Sequence, residues 1–226
     1  MNILAIDTAT EACSVALLLE NTVISRFEIC PQQHSQKLLP MVDSVLKEAG
    51  VKLSQLDGLA FGRGPGSFTG VRIATGMIQG LALGSQLPVV GVSTLAAMAQ
   101  QAVVQHQAET VFAAIDARMG EVYFGVFSSN DGVVDAHQSE QVCSPEAACE
   151  LIDSDSYTAV GTGWQAYPAL EEKMGARKVA ALYPAAEYML ALAKVALIRG
   201  EGKTAEEALP VYLRDTVTWK KLPGKE

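Results

Sequence analysis

A short apolar segment that ends on an aspartate occurs twice in this chain. The sequence AID stands at residues 5–7 and again at residues 114–116, each time ahead of a second apolar strand pattern. Further along, AFGRG at residues 60–64 is echoed by AVGTG at residues 159–163. Because both echoes keep the same order and similar offsets, they indicate a duplicated β-β-β-α-β-α unit with its boundary near residues 106–108.

Two tandem units of this kind favour one architecture. We predict an α/β protein of the actin-like ATPase (ASKHA) architecture, with two ribonuclease-H-like lobes that each contain a mixed β-sheet. Residues 1–107 are assigned to the N-terminal lobe and residues 108–226 to the C-terminal lobe. In this architecture the acid that ends the first strand of each lobe points into the cleft. Asp7 and Asp116 occupy these positions.

The loops after the two acids bear on nucleotide binding. Asp7 and Asp116 are placed to hold Mg²⁺ through waters, with Thr8 and Thr10 beside the phosphates. However, a phosphate loop needs very small residues so that backbone N–H groups can approach the ligand, and the second loop carries Arg118. We therefore predict a vestigial nucleotide cleft at these residues. The alternative is that the two carboxylates accept hydrogen bonds from their own turns.

The run FGRGPGSFTGVRIATG at residues 61–76 predicts a strand end, a glycine loop and a helix. It lacks the Lys of a P-loop, and Pro65 and Thr69 stand where a nucleophile elbow needs glycines around Ser67. Ser67 is therefore expected to cap the helix and not to act as a nucleophile.

A long uncharged stretch follows, because no Asp, Glu, Lys or Arg occurs from residue 73 to residue 108. Its first helix carries Gly76 and Gly80, with Gly84 just beyond it, on one face. Each interior glycine costs about 1 kcal/mol relative to alanine, so close approach by another helix is expected to offset this. An intramolecular helix at residues 38–49 and a partner subunit both remain open.

Net charge and the spacing of cysteines and histidines exclude several classes of function. The net charge of −8 argues against stand-alone nucleic-acid binding, which depends on Lys and Arg. The four cysteines form no CxxC pair, and His34, His106 and His137 have no metal-ligand spacing. His34 is expected to be exposed near a helix start. No signal peptide or bilayer-spanning stretch is expected, so we expect a cytoplasmic protein with reduced thiols.

Four motifs resemble a known family. ILAIDTATEACSVAL at residues 3–17, GRGPGSFTGVRIATG at residues 62–76, AIDARMGEVY at residues 114–123 and PVYLR at residues 210–214 resemble the bacterial TsaB (YeaZ) family. The resemblance runs over nearly the whole chain.

The resemblance implies a role in forming threonylcarbamoyladenosine (t6A) in tRNA. Proteins of this family are non-catalytic partners of the TsaD paralogue, which transfers the threonylcarbamoyl group to the adenosine beside the anticodon. The TsaE ATPase joins that complex. The resemblance also implies that this chain alone needs no cofactor, that ATP or ADP and Mg²⁺ belong to the assembled complex, and that tRNA is bound through the complex. A homodimer is expected when TsaD is absent.

The family's partner-binding helices match residues 36–50 and 67–84 here. The resemblance therefore implies a partner interface at eight residues, namely Leu38, Val42, Val45, Val71, Arg72, Gly76, Gly80 and Leu83.

A different class of function also fits the duplicated lobes. The Asp7–Asp116 pair is compatible with an independent actin-like enzyme that uses ATP. A peptidase acting on the paralogue is the weaker form of this alternative, since no nucleophile–base pair is visible in the sequence.

Overall fold

The N-terminal half forms a five-stranded mixed sheet. The structure, a computed structural model, describes residues 1–214. The strands lie in the order β3-β2-β1-β4-β5, with β1, β2 and β3 antiparallel to their neighbours and β1, β4 and β5 parallel. The elements are β1 (Ile3–Asp7), β2 (Ala12–Leu19), β3 (Thr22–Ile29), α1 (His34–Ala49), β4 (Gly58–Gly62), α2 (Phe68–Ser85), β5 (Val89–Val92) and α3 (Thr94–His106).

A second mixed sheet follows with the same plan. Its strands lie in the order β11-β10-β6-β7-β8, and β9 pairs with β7. The elements are β6 (Thr110–Arg118), β7 (Glu121–Asn130), β8 (Val133–Ala136), β9 (Gln141–Cys143), α4 (Pro145–Glu150), β10 (Thr158–Val160), α5 (Gly163–Ala166), α6 (Pro168–Met174), β11 (Val179–Ala181) and α7 (Ala186–Ile198).

The two sheets confirm the duplication read from the sequence. In both, three antiparallel strands are followed by two strands that run parallel to the first one. This is the ribonuclease-H-like order, so the predicted α/β class and two-lobed actin-like architecture are confirmed. None of the helices within residues 1–214 is long and apolar enough to cross a membrane.

Serine side chains begin three of the helices. Ser67, Ser93 and Ser144 each accept a hydrogen bond from the backbone N–H three residues later, at the starts of α2, α3 and α4. Such caps satisfy one of the donors that a helix start leaves unpaired. The Ser67 hydroxyl accepts from Gly70 N at 3.4 Å, so the predicted cap is present.

The outer face of the first sheet is covered by α1 and α2. Leu4, Ile6 and Phe61 point to this side and pack with buried residues of both helices. The opposite face, which carries Ile3 and Ala5, is covered by α7 from the other end of the chain.

The second sheet is covered in the reciprocal way. Its inner face packs against α3, which follows the first sheet in sequence, and its outer face packs against α4, α5 and α6. The helices α3 and α7 also contact each other, and Leu192 of α7 packs against the cores of both sheets. The order of layers is therefore α1/α2, first sheet, α3 and α7, second sheet, α4–α6.

The packing of α3 and α7 against the sheet of the other half affects how the chain divides into lobes. The last strand of the first sheet ends at Val92 and the first strand of the second sheet begins at Thr110, on either side of the assigned boundary of 107/108. However, α7 completes the core of the first sheet although it lies in the C-terminal segment. The boundary therefore stays a prediction, and the contacts show that neither segment contains a complete core of its own.

After α7, residues 199–214 return across the first lobe, and we call this segment the strap. Lys203 forms an antiparallel bridge with Val89 at the edge of the first sheet. Ala208 is buried in the core beneath α2, and its carbonyl accepts a hydrogen bond from the Gln79 side chain. Val211 N then donates to Arg63 O at 2.7 Å, which brings the strap to the glycine loop.

Because α7 of the C-terminal segment packs against the first sheet, a substitution in α7 is predicted to destabilise the whole molecule. Met189 has no exposed surface, so Met189→Ala is expected to lower the free energy of unfolding by about 2–4 kcal/mol. The measurement is urea unfolding followed by Trp164 fluorescence from the second lobe, in a Trp219→Phe background.

Ile198→Ala serves as the control, because this α7 residue is 67% exposed and is expected to change stability by less than about 0.5 kcal/mol. A Met189→Ala variant whose Trp164 transition stays at the wild-type midpoint would show that the lobes unfold independently.

Candidate functional site

A cavity of about 700 Å³ lies between the two lobes. Its walls come from the starts of α1 and α2, the turn that follows β1, the end of β6 and the end of the strap. Of the four predicted cleft residues, Thr10 and Asp116 line this cavity, whereas Asp7 and Thr8 do not.

Asp7 is fully buried, and, contrary to the prediction, its side chain does not face the cleft. Its Oδ1 accepts a hydrogen bond from Ala9 N at 3.1 Å, and its Oδ2 has no partner among residues 1–214. Gly62 explains the burial, because a Cβ at that position would stand only 1.8 Å from Oδ2. Burial raises the pKa of Asp7 from 3.8 to about 7, although the Ala9 hydrogen bond opposes the shift.

The threonines of the first turn have local partners. The Thr8 hydroxyl donates to Gly70 O at 2.7 Å and joins the turn to the first turn of α2. Thr10 Oγ1 accepts from Ala12 N at 3.4 Å, which leaves its hydroxyl proton free to donate. Thr8 is therefore a structural residue here, and the prediction that it contacts a nucleotide is wrong for this conformation.

Asp116 lines the cavity but is already bonded on both oxygens. Oδ1 accepts from Arg118 N at 2.8 Å and from the Tyr167 hydroxyl at 2.7 Å. Oδ2 forms an ion pair with the Arg118 guanidinium at 3.0 Å. The same guanidinium reaches Glu11 on the other lobe at 3.4 Å.

Arg118 therefore stands where a bound metal and phosphate would meet Asp116. Its φ of +62° turns the chain sharply after β6 and brings the guanidinium back over the carboxylate. Asp7 and Asp116 both accept a hydrogen bond from the backbone N–H two residues later, which is the alternative that the sequence left open. A nucleotide site in this cleft therefore stays a prediction, and Asp116, the one of the two acids on its wall, is bonded to Arg118 and Tyr167.

Four of the eight predicted interface residues are part of the core. Leu38, Val42, Val45 and Val71 are at most 2% exposed, because they form the inner stripes of α1 and α2 against the first sheet. A partner cannot contact them in this conformation, so their assignment to the interface is wrong. The resemblance identified the two helices, but it did not distinguish the face that packs on the sheet from the face that is exposed.

The other four residues lie on the outer side of α2. Arg72, Gly76, Gly80 and Leu83 are exposed, Leu83 to 69%. A Cβ built on Gly76 or Gly80 would meet no atom of the described residues within 4 Å. The intramolecular explanation for these glycines is therefore wrong, since α1 does not approach them.

An aromatic cluster at the start of this face was not predicted from the sequence. The Phe68 and Tyr212 rings lie 5.6 Å apart, and the Arg72 guanidinium lies 3.8 Å from the Phe68 ring centre. Arg72 Nε also donates to the Tyr212 hydroxyl at 2.9 Å. The PVYLR motif contained Tyr212, but nothing local in the sequence indicates that the strap returns to α2.

The end of the strap also contacts the second lobe. Arg214 donates to the carbonyls of Ala117 and Arg118 at 3.0 and 3.3 Å and pairs with Glu121. The arginine thus holds the turn between β6 and β7, the turn that carries the Arg118 side chain. One segment consequently contacts both walls of the cavity.

His34 begins α1 as expected, but it is not exposed. Only 8% of the residue is accessible, and its Nε2 has no partner within the described chain. The residue lies on the wall of the cavity. Among residues 1–214, no three His, Cys, Asp or Glu side chains are grouped so that they could hold a metal ion.

Comparison with known proteins assigns the chain to a family. Residues 18–222 match the family described as TsaD: tRNA N6-adenosine threonylcarbamoyltransferase. The "tRNA threonylcarbamoyladenosine biosynthesis protein TsaB" of Escherichia coli K12 is 52% identical, and the alignment spans all of both chains. The chain belongs to the TsaB (YeaZ) family.

Two further relatives agree with this assignment. The protein of the same description from Haemophilus influenzae is 49% identical over all of this chain and 99% of its own length. The solved structure described as "YeaZ from Pseudomonas aeruginosa" superposes with a TM-score of 0.84 at 50% identity, and the match covers 94% of this chain and 99% of that one. The resemblance read from the four motifs is thus confirmed.

The buried Asp7 carboxyl predicts a pH-dependent stability. Because its folded-state pKa is above the ordinary value of 3.8, the protonated carboxyl favours the folded state. That contribution is complete below about pH 4 and is lost as the pH rises through about 7. From pH 5 to pH 8 it amounts to about 2–3 kcal/mol of unfolding free energy.

Asp7→Asn is expected to remove most of this decrease, since the amide keeps the oxygen that accepts from Ala9 N and stays neutral. Urea unfolding at pH 5 and pH 8 measures the difference. Asp135→Asn, at an exposed position in β8, is the matched control and should keep the wild-type profile. Equal pH profiles for wild type and Asp7→Asn would contradict the assignment.

Proposed function

We propose that this chain is a non-catalytic subunit that binds and activates the TsaD paralogue, together with the TsaE ATPase, for t6A formation in tRNA. The relatives in Escherichia coli and Haemophilus influenzae are described as t6A biosynthesis proteins, which supports the pathway. The match to the TsaD family over residues 18–222 supports a paralogous partner of the same fold.

The state of the cleft supports an accessory role. In an actin-like enzyme the two strand-end acids serve the nucleotide and its metal. In this chain Gly62 allows Asp7 to sink out of the cleft, and Arg118 neutralises Asp116. Asp116 thus has partners that a catalytic role would have to displace, and Asp7 lies outside the cavity wall.

The main structural support for partner binding is the outer side of α2. We define the α2 face as Phe68, Arg72, Gly76, Gly80 and Leu83. Arg72 is the one charged residue in α2, and the two glycines leave the helix backbone open to a close neighbour. A surface low in charge, with aromatic and arginine side chains at one end, has the composition of an interface core.

The glycines explain why a helix is the expected occupant. A helix that approaches the backbone at Gly76 and Gly80 gains contacts that side chains would otherwise prevent. These contacts offset the helix propensity that the two residues lose, about 1 kcal/mol each. The same face is expected to form a homodimer when TsaD is absent.

The remaining parts of the proposal concern the assembled complex. ATP or ADP and Mg²⁺ act in the complex with TsaD and TsaE, and this chain alone requires neither. The charge of −8 favours tRNA contact through the partners. The complex is proposed to work in the cytoplasm.

The decisive experiment is reconstitution of threonylcarbamoyl transfer to tRNA from purified TsaD, TsaE and the enzyme that supplies the activated threonylcarbamoyl group. Addition of this chain is expected to raise the rate at least tenfold. If the reaction runs at the same rate without the chain, the proposed role is wrong. Calorimetry of the chain alone with Mg-ATP tests the alternative, and tight binding that Asp116→Ala abolishes would favour an independent enzyme, because Asp116 lines the cavity.

A second prediction tests the α2 face without damaging the fold. Gly80→Leu adds a side chain into open space and improves helix propensity, so the variant is expected to be at least as stable as the wild type. Binding to TsaD, measured by calorimetry, is expected to weaken at least tenfold because the added side chain keeps the partner helix at a distance.

The matched control is Glu150→Leu, which adds a leucine to an exposed helical position on the second lobe. It is expected to leave TsaD binding unchanged. If Gly80→Leu binds TsaD as tightly as the control does, the α2 face is not the docking surface.

A further inference from the structure

We propose that the outer edge of β3 binds a second copy of this chain, with the two β3 strands paired antiparallel about a two-fold axis at Phe27. The first sheets of the two copies then form one continuous sheet. This edge is separate from the α2 face, and the proposal does not depend on the role with TsaD.

The edge of β3 is open and long. β3 is an end strand of the first sheet, and none of the strands within residues 1–214 pairs with its outer edge. It has eight residues, contains no proline, and pairs with β2 in regular register without a bulge. β5, β8 and β11, which end the sheets elsewhere, have only four, four and three residues. A long regular edge offers its N–H and C=O groups to another strand, and proteins usually shorten or interrupt edges that stay in water.

One face of this edge strand is also apolar. Val23, Phe27 and Ile29 are 43%, 49% and 56% exposed. Ser25 shares their face and donates its hydroxyl to Glu187, at the start of α7, at 3.1 Å, so the apolar residues lie beside α7 without being covered by it. The equivalent end strand of the second sheet, β8, has no large exposed hydrophobic residue. A contiguous apolar strip on an open edge favours an interaction surface.

The hairpin between β2 and β3 determines which backbone groups point outward. Leu19 and Thr22 flank a two-residue turn and face each other, and such a pair exchanges both of its backbone hydrogen bonds. The alternation along the strand then directs the N–H and C=O groups of residues 23, 25, 27 and 29 away from β2. Cys30 N, which donates back to Glu11 O at 3.0 Å, agrees with this phase.

Charge selects one register for the pairing of two copies. An axis at Phe27 places Arg26 of each copy opposite Glu28 of the other. An axis at Arg26 or at Glu28 would place like charges directly opposite each other, which destabilises a sheet. An axis at Ser25 would leave Arg26 opposite Ile24. The strand therefore fits a second copy best about Phe27.

The same axis pairs the outward backbone groups. The N–H and C=O of Phe27 bond to the same groups of the second copy, and Ser25 pairs with Ile29 on both sides of the axis. Ser25 O, which accepts from the Arg26 guanidinium at 2.9 Å in the single chain, accepts from the Ile29 N–H in the pair. The two Phe27 rings lie opposite each other, and aromatic cross-strand pairs stabilise sheets.

The charges on the α1 side extend this complementarity. Arg26 forms an ion pair with Glu48, and Glu28 forms one with Lys37 at 2.8 Å. Across the axis the order becomes Lys37, Glu28, then Arg26 and Glu48 of the second copy, so the signs alternate along the whole row. Since these side chains are partly exposed, the row contributes mainly to the choice of register.

The test is sedimentation velocity of the full chain in a Gly80→Leu background, which is expected to block association through the α2 face. The background chain is expected to dimerise with a Kd below about 100 μM. Arg26→Glu or Glu28→Arg alone places like charges opposite each other on both sides of the axis, so each is expected to weaken the dimer at least tenfold. An equimolar mixture of the two variants restores opposite charges at every position and is expected to bind at least tenfold more tightly than either variant alone.

Glu172→Arg, which reverses an exposed charge on the second lobe, is the matched control and is expected to dimerise as the background chain does. Thermal unfolding verifies that the variants are folded. The proposal is overturned if the background chain does not dimerise with a Kd below about 100 μM, if both folded charge variants dimerise as it does, or if their mixture binds no more tightly than they do alone.

If either charge variant does not fold, cross-linking by oxidised glutathione decides, with the linked residues identified by mass spectrometry. Phe27→Cys is expected to form a disulfide between copies, because directly paired Cα atoms in this register lie about 5.5 Å apart. Val23→Cys is the control, since its equivalent in the second copy lies far along the strand. Equal cross-linking of the two variants would overturn the proposal.

Discussion

The packing of α3 and α7 between the two sheets is the constraint on which the rest of the molecule depends. The helix that covers the inner face of each sheet comes from the other half of the sequence. The two lobes consequently share one continuous interior, with Leu192 in contact with both cores. Enzymes of the actin-like type open and close a cleft by rotating one lobe against the other. Here such a rotation would have to shear a close-packed helical layer, which protein interiors resist strongly.

The charged residues beside the cleft make contacts within the chain. Asp7 withdraws into the space that Gly62 provides, and Arg118 reaches across the cavity to acids from both lobes. The Arg118–Glu11 ion pair, at 3.4 Å, is a contact between the two walls. The surface available to another protein lies on the far side of the first sheet, on α2, so the cavity and the α2 face are separate regions of one scaffold.

The sequence predicted the repeated topology well because each repeat carries its own local signals. Apolar runs that end on Asp7 and Asp116, and the serine cap at Ser67, are determined by neighbouring residues and were found. The burial of Asp7 was missed because it depends on Gly62, 55 positions away, and the exposure of His34 was misjudged because the cavity wall comes from both lobes. Leu38 and Val42 were assigned to an interface because the resemblance identified their helix but not which of its faces packs against the sheet. Tyr212 and Arg214 reach their contacts through a long return of the chain that no local pattern indicates.

The strap constrains the order in which the parts of this chain fold. Its anchors are the edge of the first sheet at Val89, the start of α2 at Phe68 and Arg72, and the β6–β7 turn held by Arg214. Since these anchors belong to different lobes, the segment has no complete binding groove until both lobes have formed and docked. The Val211 amide donates to Arg63 O. Its protection from hydrogen exchange would therefore appear last during refolding and be lost first during partial unfolding.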